Sequence, residues 1–356
     1  MKFAFVITNL AGGGAERAVL NIAGALATSG HNVHLLLLER VMAYTVPPGI
    51  SVHVLDRLSK GFLGKRLAAL RLRRLCERLS DPQPFDLVIS ALPFANEVAI
   101  LAKLPRLWCR VDDSLSVEIE LLRARSPRKA DRRLARYRRL YSACPLIAVS
   151  DGVVDDLRAA LGLEQARIER IYNPFGLAAI RARASEPLAL PQDPYVIHVG
   201  RFAKQKRHDV LLDAWARVDA PHRLVLLTHD APELVEMIAT RGLGQRVMVA
   251  GFQSNPYAWV AGADLLVLSS DHEGLPSVII EALAVGTPVV STDCRSGPRE
   301  ILGRVFPECL VPVGDPAALA QAIQRALADP PDATRIALSP YATETVIAAY
   351  ERLAAA

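Results

Sequence analysis

The sequence has few features typical of membrane-spanning, secreted or nucleic-acid-binding proteins. No apolar run reaches the ~18 residues needed to cross a bilayer, and aromatic residues make up only 6%, too few to favour a base-stacking surface. The five cysteines form no close pair in the sequence, which predicts reduced core thiols rather than disulfides or a zinc site. His31 and His34 have no further ligand nearby, so we expect no metal. The apolar start of the sequence resembles a signal peptide but lacks a signal-peptide cleavage site, so we predict that it forms the first strand. We therefore expect a cytoplasmic protein.

Length and charge narrow the possibilities further. A chain of 356 residues suits two domains, and 51% hydrophobic with 22% charged residues is a globular balance. The net charge of +5 favours anionic partners. Nucleic acid, anionic lipid and phosphorylated substrates all remain compatible with that charge.

Short apolar runs alternate with longer amphipathic stretches, a pattern typical of parallel sheets covered by helices on both faces. We predict an α/β protein of two doubly wound, Rossmann-like domains facing a cleft, with ligands beyond the carboxyl ends of the strands. The domains are placed at 1–174 and 175–340, with a helical segment at 341–356, and the proline-containing segment Ile171–Pro194 is the predicted linker. The predicted strands are Phe3–Thr8, Val33–Leu38, Val52–Leu55, Leu87–Ser90, Leu107–Val111, Leu146–Val149, Tyr195–Val199, Leu224–Thr228, Val247–Val249, Leu265–Leu268, Pro288–Ser291 and Cys309–Val311.

A glycine-rich turn, AGGGAER, follows the first predicted strand and opens a helix. Glycines allow backbone N–H groups to approach a phosphate, and the helix N-terminus favours an anion. Gly12 and Gly14 with the later Glu39 resemble part of a dinucleotide fingerprint, but Arg17 occupies the position of its third glycine. A plain tight turn and a loop facing an anionic substrate remain the alternatives.

A second loop, GRFAKQK, follows the strand Tyr195–Val199 and precedes a helix. It contains Gly200, Arg201 and Lys206, and two cations beside a helix N-terminus suit the diphosphate of a nucleotide sugar. They would also stabilise charge on the departing diphosphate. The alternative is a solvated basic loop.

The most specific motif is HEGLPSVIIE, which carries Glu273 and Glu281. Glu273 precedes the predicted helix and Glu281 lies on it, so the two carboxylates can hold different hydroxyls of one extended ligand: the sugar ring by Glu273 and the ribose diol by Glu281. The turn between them supplies backbone N–H groups for phosphate. Two solvated acids are the alternative. The predicted donor-binding turn consists of Gly274, Leu275, Pro276 and Ser277.

Two stretches of the first half are strongly basic, Lys60–Ser80 and Leu121–Tyr141. Such helices can bind anionic lipid or the pyrophosphate of a lipid-linked acceptor; a solvated face and a sequence-independent RNA site are the alternatives. The residues predicted to contact acceptor or membrane are Lys65, Arg66, Arg71, Arg73 and Arg74.

These motifs together resemble glycosyltransferase family 4, whose members have the GT-B fold, and the resemblance covers nearly the whole chain. The run Ser291–Leu302 is similar to the branch that builds bacterial lipid-linked oligosaccharides, O-antigen and capsule. The matching motifs are GGGAER, AVSDGVVDDL at Ala148–Leu157, YNPF at Tyr172–Phe175, GRFAKQK at Gly200–Lys206 and EGLPSVIIE at Glu273–Glu281.

The resemblance implies retention of anomeric configuration, no metal requirement and no cofactor beyond the nucleotide-sugar donor. It implies donor contacts from Gly13 and Gly14, a sugar-end lining from Ser296–Glu300, and a last segment reaching back to the first domain. Relatives often carry a histidine in the loop after the fifth strand, where this chain has Asp112. Asp112 is therefore predicted either to contact the sugar or acceptor or to cap the next helix.

We accordingly predict a transfer of N-acetylhexosamine or hexose, on uridine diphosphate, to a lipid-linked glycan. The first domain would bind acceptor and the inner membrane face, and the second would bind donor; nucleic acid is not an expected partner. The alternatives are a nucleotide-sugar epimerase of similar fold and a catalytically silent binding module. The predicted catalytic residues are Glu273, Arg201, Lys206 and Asp112.

Overall fold

A computed structural model describes residues 1–56 and 61–356 of the chain. Lys60, the first residue of one predicted basic stretch, lies outside the described residues. The chain divides into two compact units. The first consists of Met1–Pro174 with Thr343–Ala356, and the second is Phe175–Ala342.

The first unit is built on a seven-stranded sheet in the order β3-β2-β1-β4-β5-β6-β7, with every pair parallel. The central strands β1 and β4 are buried at every residue, as expected where helices cover both faces of a parallel sheet. The strands are β1 Lys2–Ile7, β2 Asn32–Leu37, β3 Ile50–Val54, β4 Leu87–Ala91, β5 Leu107–Val111, β6 Leu146–Ala148 and β7 Ile168–Arg170.

Helices lie between all consecutive strands of this sheet except β2 and β3. The last of them, α6, continues into a π-helical turn at Asp156–Ala160. The helices of this part are α1 Gly14–Thr28, α2 Phe62–Leu79, α3 Pro93–Ala102, α4 Leu115–Arg125, α5 Pro127–Tyr141 and α6 Asp151–Asp155.

The second unit repeats the architecture with a six-stranded parallel sheet in the order β10-β9-β8-β11-β12-β13. This is the strand order of a mononucleotide-binding fold, with a change of direction between β8 and β11. The strands are β8 Tyr195–Val199, β9 Arg223–Leu227, β10 Val247–Val249, β11 Leu265–Leu268, β12 Val289–Thr292 and β13 Leu310–Val311.

Helices also cover the sheet of the second unit, and α13 packs against α8 and β12. Short 3₁₀ turns lie at Lys204–Lys206, Pro307–Cys309, Ala333–Arg335 and Ser339–Tyr341. The helices are α7 Leu177–Ala184, α8 His208–Trp215, α9 Pro232–Thr240, α10 Pro256–Ala261, α11 Ser277–Ala284, α12 Pro298–Leu302 and α13 Pro316–Ala328.

The fold prediction of two Rossmann-like parallel α/β domains is confirmed, and two details differ. β7 was not predicted from the sequence because its three residues are partly exposed and mostly charged. The segment predicted as a plain linker contains α7, which buries Ile180 and ties Arg181 Nε to the Ala284 carbonyl at 2.9 Å.

The last helix, α14 Thr343–Ala355, belongs to the first unit. Tyr350 is fully buried there, and Glu351 binds His31 Nε2 at 2.8 Å. His34 is hydrogen-bonded to His53 at 3.1 Å rather than to His31, and burial lowers the pKa of His34 to about 4. No helix among the described residues is long and apolar enough to span a membrane.

Candidate active site

The loop between β8 and α8 carries the predicted diphosphate-binding residues. A Cβ placed on Gly200 would lie 3.2 Å from His198 Nε2 and 3.5 Å from Lys206 Cε, so the loop passes closely over its own strand at this glycine. Lys206 ends a 3₁₀ turn, and Arg207 then adopts left-handed geometry at φ 49° before the helix begins. Arg201 is exposed and forms no ion pair with any described residue.

The structure brings two predicted catalytic residues into direct contact. Lys206 Nζ lies 2.6 Å from Glu273 Oε1, and both side chains are largely buried, with 17% and 10% exposure. Ser270 Oγ donates to the same carboxylate oxygen at 2.6 Å. Ser269 Oγ donates to the Lys206 carbonyl at 2.7 Å. The loops after β8 and β11 are therefore joined by a charged pair with hydrogen-bonded support, because these strands are neighbours in the sheet.

A second ion pair, not predicted from the sequence, braces the same two loops. Arg207 binds both carboxylate oxygens of Asp209, at 2.8 to 3.2 Å, and its Nη1 donates to Asp271 at 2.9 Å. The Asp271 N–H in turn donates to the Gln205 carbonyl at 2.8 Å. These bonds hold the residues on either side of Lys206 and tie them to Asp271, which lies two positions before Glu273. The spacing of Arg207 and Asp209 was visible in the sequence, but their link to Asp271 was not.

Two histidines lie buried behind Lys206. Burial lowers the pKa of His198 to about 3 and that of His208 to about 4, and the Lys206 charge adds to both shifts. His198 Nδ1 donates to the Val267 carbonyl at 2.9 Å, and the two rings pack edge to face at 4.8 Å. Both imidazoles are therefore neutral at physiological pH. They bring no positive charge that would compete with Lys206 for Glu273.

The predicted donor-binding turn is buried and tightly packed. Gly274, Leu275 and Pro276 are buried, and α11 begins at Ser277 as predicted. Pro276 has no N–H, which removes one of the phosphate donors expected from this turn. Gly297, at φ 97°, packs so closely on the turn that a Cβ there would lie 2.1 Å from Pro276 Cδ.

Two further predicted parts of the site are the segment Ser296–Glu300 and the residue Glu281. The Glu273 N–H donates to the Arg295 carbonyl at 3.1 Å, which joins the turn to the predicted sugar-end lining Ser296–Glu300. Glu281 lies on α11, partly exposed, with Tyr257 Oη 3.5 Å from its Oε1. Glu273 precedes α11 and Glu281 lies on it, as predicted.

In the first unit, the glycine-rich loop precedes α1. Gly12 has φ 114°, a conformation that favours glycine. A Cβ on Gly13 would meet the Glu16 carboxylate, whereas a Cβ on Gly14 would meet nothing within 4 Å. The fold around Gly14 does not itself require glycine, and the predicted ligand contact remains a prediction.

Asp112 lies in the loop after β5 beside a buried cation. Arg110 Nε donates to Asp112 Oδ1 at 2.8 Å, and the Arg110 side chain is 0% exposed. Burial raises the pKa of Asp112, and the Arg110 guanidinium opposes that rise. The carboxylate makes no capping bond to the helix that follows, since the residue preceding α4 is Ser114 and shows no side-chain cap.

The basic residues of α2 do not share one environment. Lys65 is 15% exposed and lies 2.6 Å from Glu97 Oε2, so its assignment to the acceptor or membrane surface is not supported. Arg73 pairs with Glu77 one helical turn away. Phe62 and Leu63, at the start of the helix, are 71% and 79% exposed. The exposed cations of this helix are Arg66, Arg71, Arg73, Arg74 and Arg78.

The second basic stretch is partly neutralised by neighbouring carboxylates. Arg133 binds Glu118, and Arg136 binds the same Glu97 that Lys65 contacts. Arg123 pairs with Asp131 at 2.8 Å. The charge count of this stretch therefore overstates the positive charge that it offers to a partner.

Each of the two units matches a family of known proteins. Residues 12–178 match the family described as Glycosyltransferase Family 4, and residues 193–329 match Glycosyl transferases group 1. Among curated relatives is the N-acetylgalactosamine-N,N'-diacetylbacillosaminyl-diphospho-undecaprenol 4-alpha-N-acetylgalactosaminyltransferase of Campylobacter jejuni. It is 29% identical over 339 residues, 92% of this chain and 90% of the relative. The lipopolysaccharide 1,6-galactosyltransferase of Salmonella typhimurium is 30% identical over 44% of this chain and 45% of its own length.

Solved structures share the fold over the full length. Anabaena HepE in complex with UDP-glucose matches with a TM-score of 0.77 at 21% identity, covering 100% of both chains. The apo form of the lipopolysaccharide outer core galactosyltransferase WaaB matches with a TM-score of 0.73 at 21% identity, covering 99% of both chains. These structures share the GT-B fold, and each family match covers one part of the chain: residues 12–178 belong to Glycosyltransferase Family 4 and residues 193–329 to Glycosyl transferases group 1.

Proposed function

We propose that the protein is a retaining glycosyltransferase that moves a hexose or N-acetylhexosamine from a UDP-sugar to a lipid-linked glycan at the cytoplasmic membrane face. The observation that carries this proposal is the Lys206–Glu273 pair at 2.6 Å, on neighbouring loops at the carboxyl ends of β8 and β11. Ligands of doubly wound sheets bind at that edge, where the strand order reverses.

The pair is suited to hold both ends of a sugar diphosphate. A lysine ammonium has three donors, so Lys206 can keep Glu273 and still donate to a diphosphate oxygen. Glu273 can accept from sugar hydroxyls, and the exposed Arg201 supplies a second cation. Glu281 would accept from the ribose diol. With two cations for the diphosphate, the proposed reaction requires no metal and no cofactor.

We favour front-face attack as the chemical step. The acceptor hydroxyl oxygen bonds to the anomeric carbon as the bond from that carbon to the diphosphate oxygen breaks, and the hydroxyl proton moves to the departing diphosphate. Arg201 and Lys206 stabilise the negative charge that develops there. A double displacement needs a carboxylate behind the anomeric carbon, and the described residues offer no carboxylate that can be assigned to that position.

The relatives support the donor and acceptor classes. The name of the Campylobacter jejuni relative describes a diphospho-undecaprenol acceptor. The Anabaena structure of the same fold contains UDP-glucose. An epimerase function has no support from either family match, and the intact Lys206, Glu273 and Glu281 argue against a silent binding module.

Transfer of radiolabel from a panel of UDP-sugars to a polyprenyl diphosphate-sugar tests the proposal. Lys206→Ala should lower kcat by on the order of a hundredfold, the scale of losing one transition-state donor. Lys204→Ala is the matched control, because Lys204 is an exposed lysine of the same loop, and it should retain activity. Equal activity of both variants would remove Lys206 from the mechanism.

Two further measurements address the finer parts of the proposal. Proton NMR of the first product formed should show the anomeric configuration of the donor, and the opposite anomer would refute retention. Transfer should continue in excess EDTA at an unchanged rate. A rate restored only by added Mg²⁺ or Mn²⁺ would refute metal independence.

The membrane part of the proposal rests on the exposed face of α2. The crossover helix runs antiparallel to the strands, so its first turns lie at the carboxyl edge of the sheet of the first unit. Phe62, Leu63, Leu67 and Leu70 are 45% to 79% exposed there. Exposed arginines lie on the same helix. An apolar stripe flanked by cations is suited to the interface of an anionic membrane.

Vesicle flotation tests this surface. The protein should bind vesicles that contain phosphatidylglycerol and should not bind phosphatidylcholine alone. Leu63→Ser should weaken binding, and Arg66→Gln should do so by about fivefold, since one surface cation contributes ~1 kcal/mol. Val235→Ser is the control, because Val235 is 56% exposed on a helix of the second unit. Equal flotation with neutral and anionic vesicles would contradict the proposal.

A further inference from the structure

A cavity of about 730 Å³ lies in the first unit, and this volume is in the range of small-molecule sites. Asp86, Arg106, Pro145 and Arg167 line it, and each directly precedes one of the neighbouring strands β4, β5, β6 and β7. The cavity therefore lies at the amino edge of the sheet, and we call it the amino-edge cavity. Ligands of doubly wound sheets bind at the opposite edge. The length of β5, about 15 Å, separates the two edges, so this cavity is not part of the proposed active site.

Three cations line the amino-edge cavity: Lys103, Arg106 and Arg167. Arg106 Nη1 donates to the Asp86 carbonyl at 3.1 Å and to the Ala354 carbonyl at 3.2 Å, and a guanidinium has further N–H donors. Within residues 1–56 and 61–356, none of the three cations forms an ion pair with a carboxylate, the terminal one included. The cations also outnumber the carboxylates of the lining. The cavity therefore favours an anion.

Two of these cations lie in a short loop with left-handed backbone geometry. The loop connects α3 to β5, and φ is 51° at Lys103 and 52° at Arg106. Glycine adopts this geometry readily, whereas residues with a side chain do so much less often. Such residues cluster at binding sites, where the side chain has a role that glycine cannot fill. Both positions of this loop carry a long cationic side chain where glycine would suit the backbone.

The remainder of the lining suits a flat apolar group. Arg167 Cζ lies 4.8 Å from the centroid of the Trp108 ring, so the guanidinium packs over the indole. A planar guanidinium stacks on aromatic rings, and Arg167 can therefore stack on a ligand ring as it does on Trp108. The aliphatic side chains of the lining are Leu87, Ile100, Leu104, Leu107 and Leu353.

We propose that the amino-edge cavity binds a soluble phosphate monoester that carries a flat ring. Lys103 and Arg106 bind the phosphate, and the ring stacks on Arg167 beside the aliphatic wall. The ligand is a soluble one because the first turns of α2, where the proposed membrane surface begins, lie at the other edge of the sheet. This site goes beyond the proposed sugar transfer and uses none of its residues.

Tryptophan fluorescence of the full chain tests the site. The chain has three tryptophans, and Trp108 is the one that lies in the first unit. Titration with phenyl phosphate should change the fluorescence, and Trp108→Phe should remove that change. Saturating UDP is present throughout, so that phenyl phosphate does not report on the donor site.

Calorimetry under the same conditions measures the affinities without relying on tryptophan. Phenyl phosphate should bind at least about tenfold more tightly than inorganic phosphate, which lacks the ring. It should also bind at least about tenfold more tightly than benzyl alcohol, which lacks the charge.

Two variants separate the two halves of the proposed ligand. Lys103→Gln should weaken both phenyl phosphate and inorganic phosphate about tenfold, the scale of one charge-assisted hydrogen bond. Arg167→Gln should weaken phenyl phosphate more than inorganic phosphate, because it also removes the stacking plane. Arg352→Gln is the matched control. Arg352 is an exposed cation of α14 that does not line the cavity, so this variant should bind within about twofold of the unmodified protein.

Four results would overturn the inference. Lys103→Gln could bind phenyl phosphate as tightly as the unmodified protein, or Arg352→Gln could lose as much affinity as Lys103→Gln. Inorganic phosphate or benzyl alcohol could bind as tightly as phenyl phosphate. Vesicles that contain phosphatidic acid could change Trp108 fluorescence when phenyl phosphate does not, which would make the ligand a membrane lipid. These measurements need no sugar transfer, so failure of the proposed function would leave their result unchanged.

Discussion

Gly297→Ala should disrupt the predicted donor-binding turn by packing against it, and Gly297 itself has no predicted contact with the donor's phosphates or ribose. A Cβ at residue 297 would lie 2.1 Å from Pro276 Cδ, where ordinary contacts begin at 3.4 Å, and φ is +97°. At φ 97° and ψ −61° an alanine is strained by about 1–3 kcal/mol, and relief of the overlap costs about 1–3 kcal/mol more. We expect a loss of about 2–6 kcal/mol in the free energy of unfolding of the second unit.

Gly286→Ala separates these two contributions. Gly286 has a similar φ of +89°, and a Cβ there meets nothing within 4 Å. Gly286→Ala should therefore lose only the free energy that the positive φ costs an alanine, with no loss from steric overlap. In a unit of this size about 2–4 °C of melting temperature corresponds to 1 kcal/mol, so Gly297→Ala should melt several degrees below Gly286→Ala.

Calorimetry should show that Gly297→Ala also weakens UDP binding while Gly286→Ala does not, because only Gly297 presses on the turn beside Glu273. Thermal melts followed by circular dichroism measure the stability difference. The reasoning is refuted if the two variants melt at the same temperature. The site assignment, but not the packing argument, is refuted if Gly297→Ala melts lower and still binds UDP with full affinity.

Two other predictions concern the second unit. Glu281→Gln should weaken UDP binding about tenfold, the scale of one charge-assisted hydrogen bond. In binding measurements, the unmodified protein should prefer UDP over 2′-deoxy-UDP, and the variant should bind both equally. His208, whose pKa is lowered to about 4 by burial, takes up a proton near pH 6.5 when unfolded but not when folded. Stability is therefore full above pH 6.5 and falls toward pH 4, by about 2 kcal/mol at pH 5 for this histidine. In urea melts, His208→Leu should remove about 2 kcal/mol of the stability difference between pH 7 and pH 5, and an unchanged difference would count against the assignment to His208.

Apolar periodicity was sufficient to predict most of the sheets. Buried strands such as Phe3–Thr8 and Leu265–Leu268 read directly from runs of aliphatic residues, and the structure confirms them within one or two positions. β7 was missed because Ile168–Arg170 is a short edge strand with one apolar residue. α7 was missed because prolines on both sides made the segment resemble a linker.

In the candidate site, the sequence predicted several residues but not the contacts between them. The motifs identified Lys206 and Glu273 as site residues, but their direct pairing depends on the adjacency of β8 and β11, which is a property of the sheet order. Arg110 read as an ordinary strand residue, since its partner Tyr350 lies 240 positions away in the sequence. Lys65 was grouped with its exposed neighbours, because helical spacing alone does not show that Glu97 from α3 would reach it.

The chain enters the second unit at Phe175 and leaves it at Ala342, and the Phe175 N–H donates to the Tyr341 carbonyl at 2.9 Å. Topologically, the second unit is an insertion into the first, and the two ends of the insertion lie side by side. A second unit from a relative with another sugar preference can therefore be exchanged through two joins, at Phe175 and at Ala342, while α14 stays in the first unit. Such chimeras would assign donor and acceptor choice to separate stretches of the polypeptide.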